Sequence, residues 1–146
     1  MKRHRALQPL SRDHHQALHI AQRLRRAGEG EALAVRGAFL DFWREHGQHH
    51  FRVEEEVLLP AFAAYGDPED ERVVRVLVDH VRIRLAAQRL AEDRRIGVGA
   101  LHELGTALER HVRLEERELF PLIERTLPPD AAEALVGAVL AAERAG

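Results

Sequence analysis

The sequence predicts an all-α protein, an antiparallel up-down four-helix bundle with a short C-terminal fifth helix. Three observations carry this. Aliphatic residues recur at helical spacing without strand-like alternation; alanine, leucine, arginine and glutamate dominate; and the first two helical segments resemble the next two. At 146 residues the chain can bury one core. It reads as a single domain over residues 1–146, with the bundle at about 10–126 and the last helix at about 129–144.

The first helix is expected from about Ser11 to Ala27, with Ser11 as N-cap and Gly28 as the stop. The second runs from about Glu31 to Ala64, bent or broken near Pro60. The third opens at the run DPED, with Asp67 as cap and Pro68 as first helical residue, and ends near Arg95 before the turn IGVG. The fourth covers about Ala100 to Arg125 and is disturbed at Pro121. Pro128, Pro129 and Asp130 restart a tail helix to about Ala142. Short connections make sequential helices antiparallel neighbours.

Composition excludes several classes of function. No apolar stretch of ~18 residues is present, so no membrane span is expected. The basic N-terminus is not followed by an apolar run and does not read as a secretory signal. A net charge of -2, with arginines scattered along the helices, does not suggest a nucleic-acid binder. There is no cysteine, which removes disulfides, thiolate metal sites and cysteine nucleophiles and makes the cytoplasm the expected compartment. Ten histidines stand out, because histidine is the commonest protein metal ligand.

Their placement is patterned. The segment HFRVEEEVLLP, His50 to Pro60, matches HVRLEERELFP, His111 to Pro121, at an offset of 61. A weaker match pairs Asp13, His14, Ala21, Gln22, Arg23 and Leu24 with Asp79, His80, Ala87, Gln88, Arg89 and Leu90, at an offset of 66. Two similar hairpins facing each other would share a pseudo-twofold axis. On helical wheels each main helix puts a histidine in its apolar stripe: His14, then His46 and His50, then His80, then His111. Glu54 and Glu115 follow His50 and His111 by four residues, on the same face and about 6 Å along the axis.

Buried carboxylates are costly unless paired or coordinating, and two that converge raise each other's pKa unless cations intervene. Two divalent ions would resolve the conflict, and imidazole with carboxylate suits iron, manganese or zinc. Arg52, Glu55, Arg113 and Glu116 are expected at the solvated surface. His19, His49 and His102 point away from their stripes and are expected to be exposed, and His4 lies in a tail expected to be disordered.

The two HxxxEE segments, with DHH before them and DH between them, resemble the hemerythrin or HHE cation-binding family from about Leu10 to Arg125. The resemblance implies a four-helix bundle around a non-haem centre of two iron ions, with manganese or zinc as alternatives. By position it makes His14, His50, His80 and His111 iron ligands, and Glu54 and Glu115 bridging carboxylates. The oxygen carriers of that family use a further histidine one turn from the third-helix ligand. Here Val76 and Arg84 occupy the positions on either side of His80. His46 is a candidate replacement, with a packing role beside the site as the other reading. His15 competes with His14, which lies nearer the stripe centre and is preferred. Arg84 cannot ligate a cation; it must swing outward or pair with a carboxylate near the metals.

The leading functional reading is a di-iron protein that binds or reacts with dioxygen, nitric oxide or peroxide in sensing, storage or detoxification. A di-iron oxidoreductase or peroxidase-like enzyme is the alternative. Iron handling ranks below both, because no Glu-x-x-His pair of the ferritin type occurs. A metal-free interaction domain ranks last.

Overall fold

The computed structural model describes residues 2–146. Among them are five helices and no strand. Helix α1 spans Gln8–Arg26. Helix α2 occupies residues 32–63 after a single 3₁₀ turn, Glu29–Glu31. Helix α3 spans Glu71–Glu92, α4 occupies residues 98–126, and α5 spans Pro129–Ala145. No helix among the described residues is long and apolar enough to cross a membrane.

Two starts differ from expectation. Helix α1 begins three residues before Ser11, because Pro9 sits in its first turn with φ already set for a helix. The Ser11 hydroxyl is used elsewhere, donating to Glu116 at 2.7 Å. Asp67 accepts the Glu69 N–H at 2.8 Å and holds Pro68 in a separate turn. The cap of α3 is therefore Asp70, which accepts the Arg72 N–H at 2.9 Å.

Neither Pro60 nor Pro121 breaks its helix. Each follows a π turn, Glu54–Leu58 in α2 and Glu115–Leu119 in α4. A proline has no N–H to donate and its ring crowds the preceding turn; one widened turn absorbs both problems. A third π turn, Trp43–Gly47, lies earlier in α2.

The core is two apolar blocks. One joins the beginnings of α1 and α3 to the ends of α2 and α4, through Leu10, Val76, Leu58, Phe62, Leu119 and Ile123, and is covered by Leu135 and Val139 of α5. The other joins the opposite ends, through Leu24, Phe39, Trp43, Ile83, Leu101 and Leu108. This alternation of ends is the up-down antiparallel bundle. Between the blocks lies a layer of buried His14, His50, Glu54, His80, His111 and Glu115.

Helix α1 packs tightly against α4 at Gly105. A Cβ there would lie 2.7 Å from the Ala21 carbonyl oxygen and 2.9 Å from the Arg25 nitrogen, both backbone atoms. Gly105→Ala is expected to lower the melting temperature. Overpacking costs about 1–3 kcal/mol, against at most ~1 kcal/mol gained from alanine's helix propensity. A thermal melt that stays level or rises would show that the two helices can separate cheaply.

Candidate metal centre

Four helices each deliver one histidine to the central layer, and α2 and α4 add a glutamate one turn later. All six side chains are at most 9 % exposed. His14 and His50 stand on one side, ring centroids 5.1 Å apart. His80 and His111 stand on the other, 4.9 Å apart. Every histidine turns Nε2 inward. Glu54 directs Oε2 to His50 at 3.2 Å and Oε1 to His80 at 3.1 Å. Glu115 directs Oε1 to His14 at 2.8 Å and Oε2 to His111 at 3.1 Å. Each carboxylate therefore spans both histidine pairs with one oxygen apiece. The donors fall into two overlapping groups, each able to hold a cation: His14, His50, Glu54, Glu115 and Glu54, His80, His111, Glu115.

Both carboxylates open a π turn, a feature that recurs at functional sites because it re-aims side chains without ending the helix. The polar atoms at the centre are poorly served by the protein alone. Nε2 of His50, His80 and His111, both oxygens of Glu54 and Oε2 of Glu115 are buried without a satisfactory hydrogen bond. Buried donors and acceptors normally find partners. Orphaned imidazole nitrogens facing orphaned carboxylate oxygens are what a cation would satisfy, so the residues fit a metal site.

A second ring of carboxylates holds the outer nitrogens. His14 Nδ1 lies 2.5 Å from Glu116, and His80 Nδ1 lies 2.6 Å from Glu55. His50 Nδ1 lies 3.0 Å from Asp13, and His111 Nδ1 lies 3.1 Å from Asp79. An acceptor at Nδ1 fixes the tautomer and leaves the Nε2 lone pair for a cation. Glu55 and Glu116 are thus not the solvated surface residues expected from sequence; they are half-buried and orient two histidines. The expectation holds for Arg52 and Arg113, which are exposed and pair with Glu56 and Glu109.

The outer glutamates have cations of their own. Arg84 reaches Glu55 at 2.8 Å and lies over the Phe51 ring, which stacks on His80 at 3.8 Å. Arg3 reaches Glu116 at 3.2 Å and lies over Phe120, which stacks on His14 at 5.5 Å. Arg84 therefore takes the second of its two expected courses. Arg3 escaped sequence reasoning because it lies in the N-terminal segment, outside the repeat. Residues 3 and 4 pack on α4 instead of forming the expected disordered tail: the His4 backbone N–H donates to Glu124 at 2.6 Å.

Burial opposes charge on the histidines, but their carboxylate neighbours outweigh it. Bonds to Glu115 and Glu116 push His14 up to about 9. The carboxylates of Glu115, Glu54 and Glu55 around it push His80 up to about 10. His50 and His111 are raised too, mainly by the charges of Glu54 and Glu115. Burial likewise opposes charge on Glu115, yet His111 and the other imidazoles hold it well below the ordinary range. The bond to His80 is the chief cause that brings Glu55 down to about 2.

The other histidines lie outside this layer. His15 is exposed, one residue off the stripe that His14 occupies. His46 is exposed as well, and neither donor group contains it. The π turn Trp43–Gly47 adds a residue to the helical repeat just before His50, so four residues no longer make one turn there. His46 instead lines a pocket of about 20 Å³ beside the centre, with Phe42, Trp43, Leu108 and the rings of His14, His50 and His111. His19 is exposed, as expected. His49 and His102 are not exposed as expected: they are half-buried, because α5 and the end of α1 cover them and their rings bond the backbone carbonyls of Ala142 and Ala27. Glu143 of α5, which no sequence pattern flagged, stands with Asp13 and His50 at the rim. Burial, then the charge of Asp13, pushes it up to about 7.

Comparison with curated proteins and with solved structures returns no match. A family model described as the hemerythrin HHE cation-binding domain matches residues 5–123, which include all six central side chains and all four carboxylates bound to the outer histidine nitrogens. The chain belongs to the hemerythrin HHE cation-binding family.

Proposed function

We propose that the chain is a cytoplasmic di-iron protein that binds or reacts with a small ligand, dioxygen, nitric oxide or peroxide, in sensing, storage or detoxification. The observation that carries the reading is the reach of Glu54 and Glu115, each with one oxygen at either histidine pair. Six such donors suit two cations sharing two carboxylates, and a nitrogen–oxygen set without sulfur suits iron, with manganese or zinc as competitors. Bound iron would supply redox activity and coordination positions that six protein donors leave open.

The chain's own residues then govern access and orientation. Asp13, Glu55, Asp79 and Glu116 hold the four imidazoles with Nε2 inward. Phe51 and Phe120 pack flat against two of them and keep water from those faces. The pocket beside the centre is lined largely by apolar side chains, and at about 20 Å³ it admits a molecule of water size. That size favours a diatomic ligand over a bulky organic substrate.

The test is anaerobic reconstitution with iron(II), metal analysis, and absorption spectra before and after nitric oxide, azide and oxygen. About two irons per folded chain and new near-ultraviolet or visible bands with nitric oxide are expected. One iron or none per chain, or spectra indifferent to all three ligands, would overturn the reading. His46→Ala is expected to leave the metal content intact, because His46 lies outside both donor groups.

A further inference from the structure

The outward face of α3 is apolar as well as its inward one. Val73, Val76, Ile83, Ala87 and Leu90 face the core with His80. On the other side Val74, Leu77, Val78, Val81 and Leu85 are 44, 39, 41, 67 and 44 % exposed. Only three other large hydrophobic residues are exposed among the described residues, Leu33, Tyr65 and Leu140, and they are scattered over other segments. Val74, Val78, Val81 and Leu85 follow one another at intervals of four, three and four, the seam spacing by which one helix packs along another. A contiguous exposed stripe of this kind marks an interaction surface, whereas scattered residues do not.

Charge selects the occupant. Arg75, Arg82 and Arg89 run at seven-residue intervals along one flank of the stripe. Arg75 has Glu118 at 3.8 Å, but Arg82 and Arg89 meet no carboxylate within ion-pair distance among the described residues. The opposite flank carries Arg84, already bound to Glu55. A second copy of the chain fits poorly. Antiparallel pairing of two stripes would set the arginine rows against each other, and parallel pairing would bring Arg89 to Arg84. Like charges across a helical seam disfavour the pair.

We propose that this face of α3 docks an acidic amphipathic helix of a partner protein. Its aliphatic seam would cover Val74, Val78, Val81 and Leu85, and its carboxylates would meet Arg82 and Arg89. The surface lies on the helix that carries His80 and Arg84, on the reverse side from the central layer. A docked partner is therefore separated from the centre by one helix.

The probe is a labelled helical peptide of about three heptads with leucine along its seam and glutamate on its flanks. A control peptide carries lysine on the flanks. Binding is read by fluorescence anisotropy against the intact chain, with sedimentation of the chain alone in parallel. The glutamate peptide is expected to bind, roughly tenfold or more weaker to Val81→Ser and to the double variant Arg82→Glu, Arg89→Glu. The lysine peptide should bind the parent weakly and the double variant better. Val81 is 67 % exposed, and circular dichroism of each variant confirms that its fold is kept. No binding, or equal binding of both peptides, would overturn the proposal. A dimer of the chain alone that Val81→Ser dissolves would overturn it too, by assigning the face to a second copy.

Discussion

Glu54→Gln and Glu115→Gln are each expected to empty both cation positions, whereas His111→Ala empties one. The difference follows from reach. His111 Nε2 belongs to a single donor group, but each glutamate is shared by the two groups. Glutamine keeps the side-chain volume in a layer where both carboxylates are fully buried, so the change removes charge and not packing. The four inward Nε2 atoms share two carboxylates, Glu54 and Glu115; with one gone, each group keeps a single anionic donor. Losing an outer carboxylate such as Glu55 costs metal affinity about 10–100-fold, and losing an inner one should exceed that at both positions. Metal analysis of folded, iron-loaded variants checks this. A Glu54→Gln chain that keeps one tight iron would show that Glu54 serves one position only.

The sequence made the centre legible because its six residues sit where helical periodicity holds. Leu10, His14, Ala17, Ala21 and Leu24, which share one face of α1 at helical spacing, are all buried. In α2 the periodicity fails after Glu54. A helical wheel of constant pitch puts Val57 and Ala61 on the face of His50 and Glu54, yet the fully buried residues are Leu58 and Phe62, each one position later. The π turn Glu54–Leu58 inserts that extra residue, and a constant-pitch wheel cannot represent it. The same device removed His46 from the inward face. A proline six residues after the glutamate in both copies of the repeat was the available signal.

Glu55 and Glu116 show a different limit. Both matched in the repeat, but a wheel places them beside the stripe, where a charged residue is ordinarily solvated. Their partners, the rings of His80 and His14 with Arg84 and Arg3, all arrive from other segments of the chain. Arg3 and Glu143 had no repeat partner and sit at the chain ends, so their roles depend on tertiary packing alone.

The stability gap between metal-loaded and metal-free protein is expected to widen as pH rises from about 6.5 to 8.5. Without metal, His14 and His80 are raised from 6.5 to about 9 and about 10. Folding then takes up protons. The stability this supplies is complete below pH 6.5 and is lost as pH climbs through the folded values. Glu115 acts in the opposite limb, because its folded pKa is depressed: its contribution is present above its ordinary 4.5 and is lost in stronger acid. The metal-free chain should thus be most stable in mild acid and weaken steadily toward pH 8.5. Cation binding has the reverse dependence, since each inward Nε2 must shed its proton before it can donate. Every proton displaced strengthens binding tenfold per pH unit, about 1.4 kcal/mol. With His14 and His80 releasing one each, the gap grows by on the order of 3 kcal/mol per pH unit. At roughly 2–4 °C per kcal/mol for a domain of this size, that is on the order of 5–10 °C per pH unit. Thermal melts of chelated and manganese(II)- or iron(II)-loaded samples at pH 6.5, 7.5 and 8.5 measure it. A gap that stays constant or narrows would mean that the central imidazoles do not give up protons to bind metal.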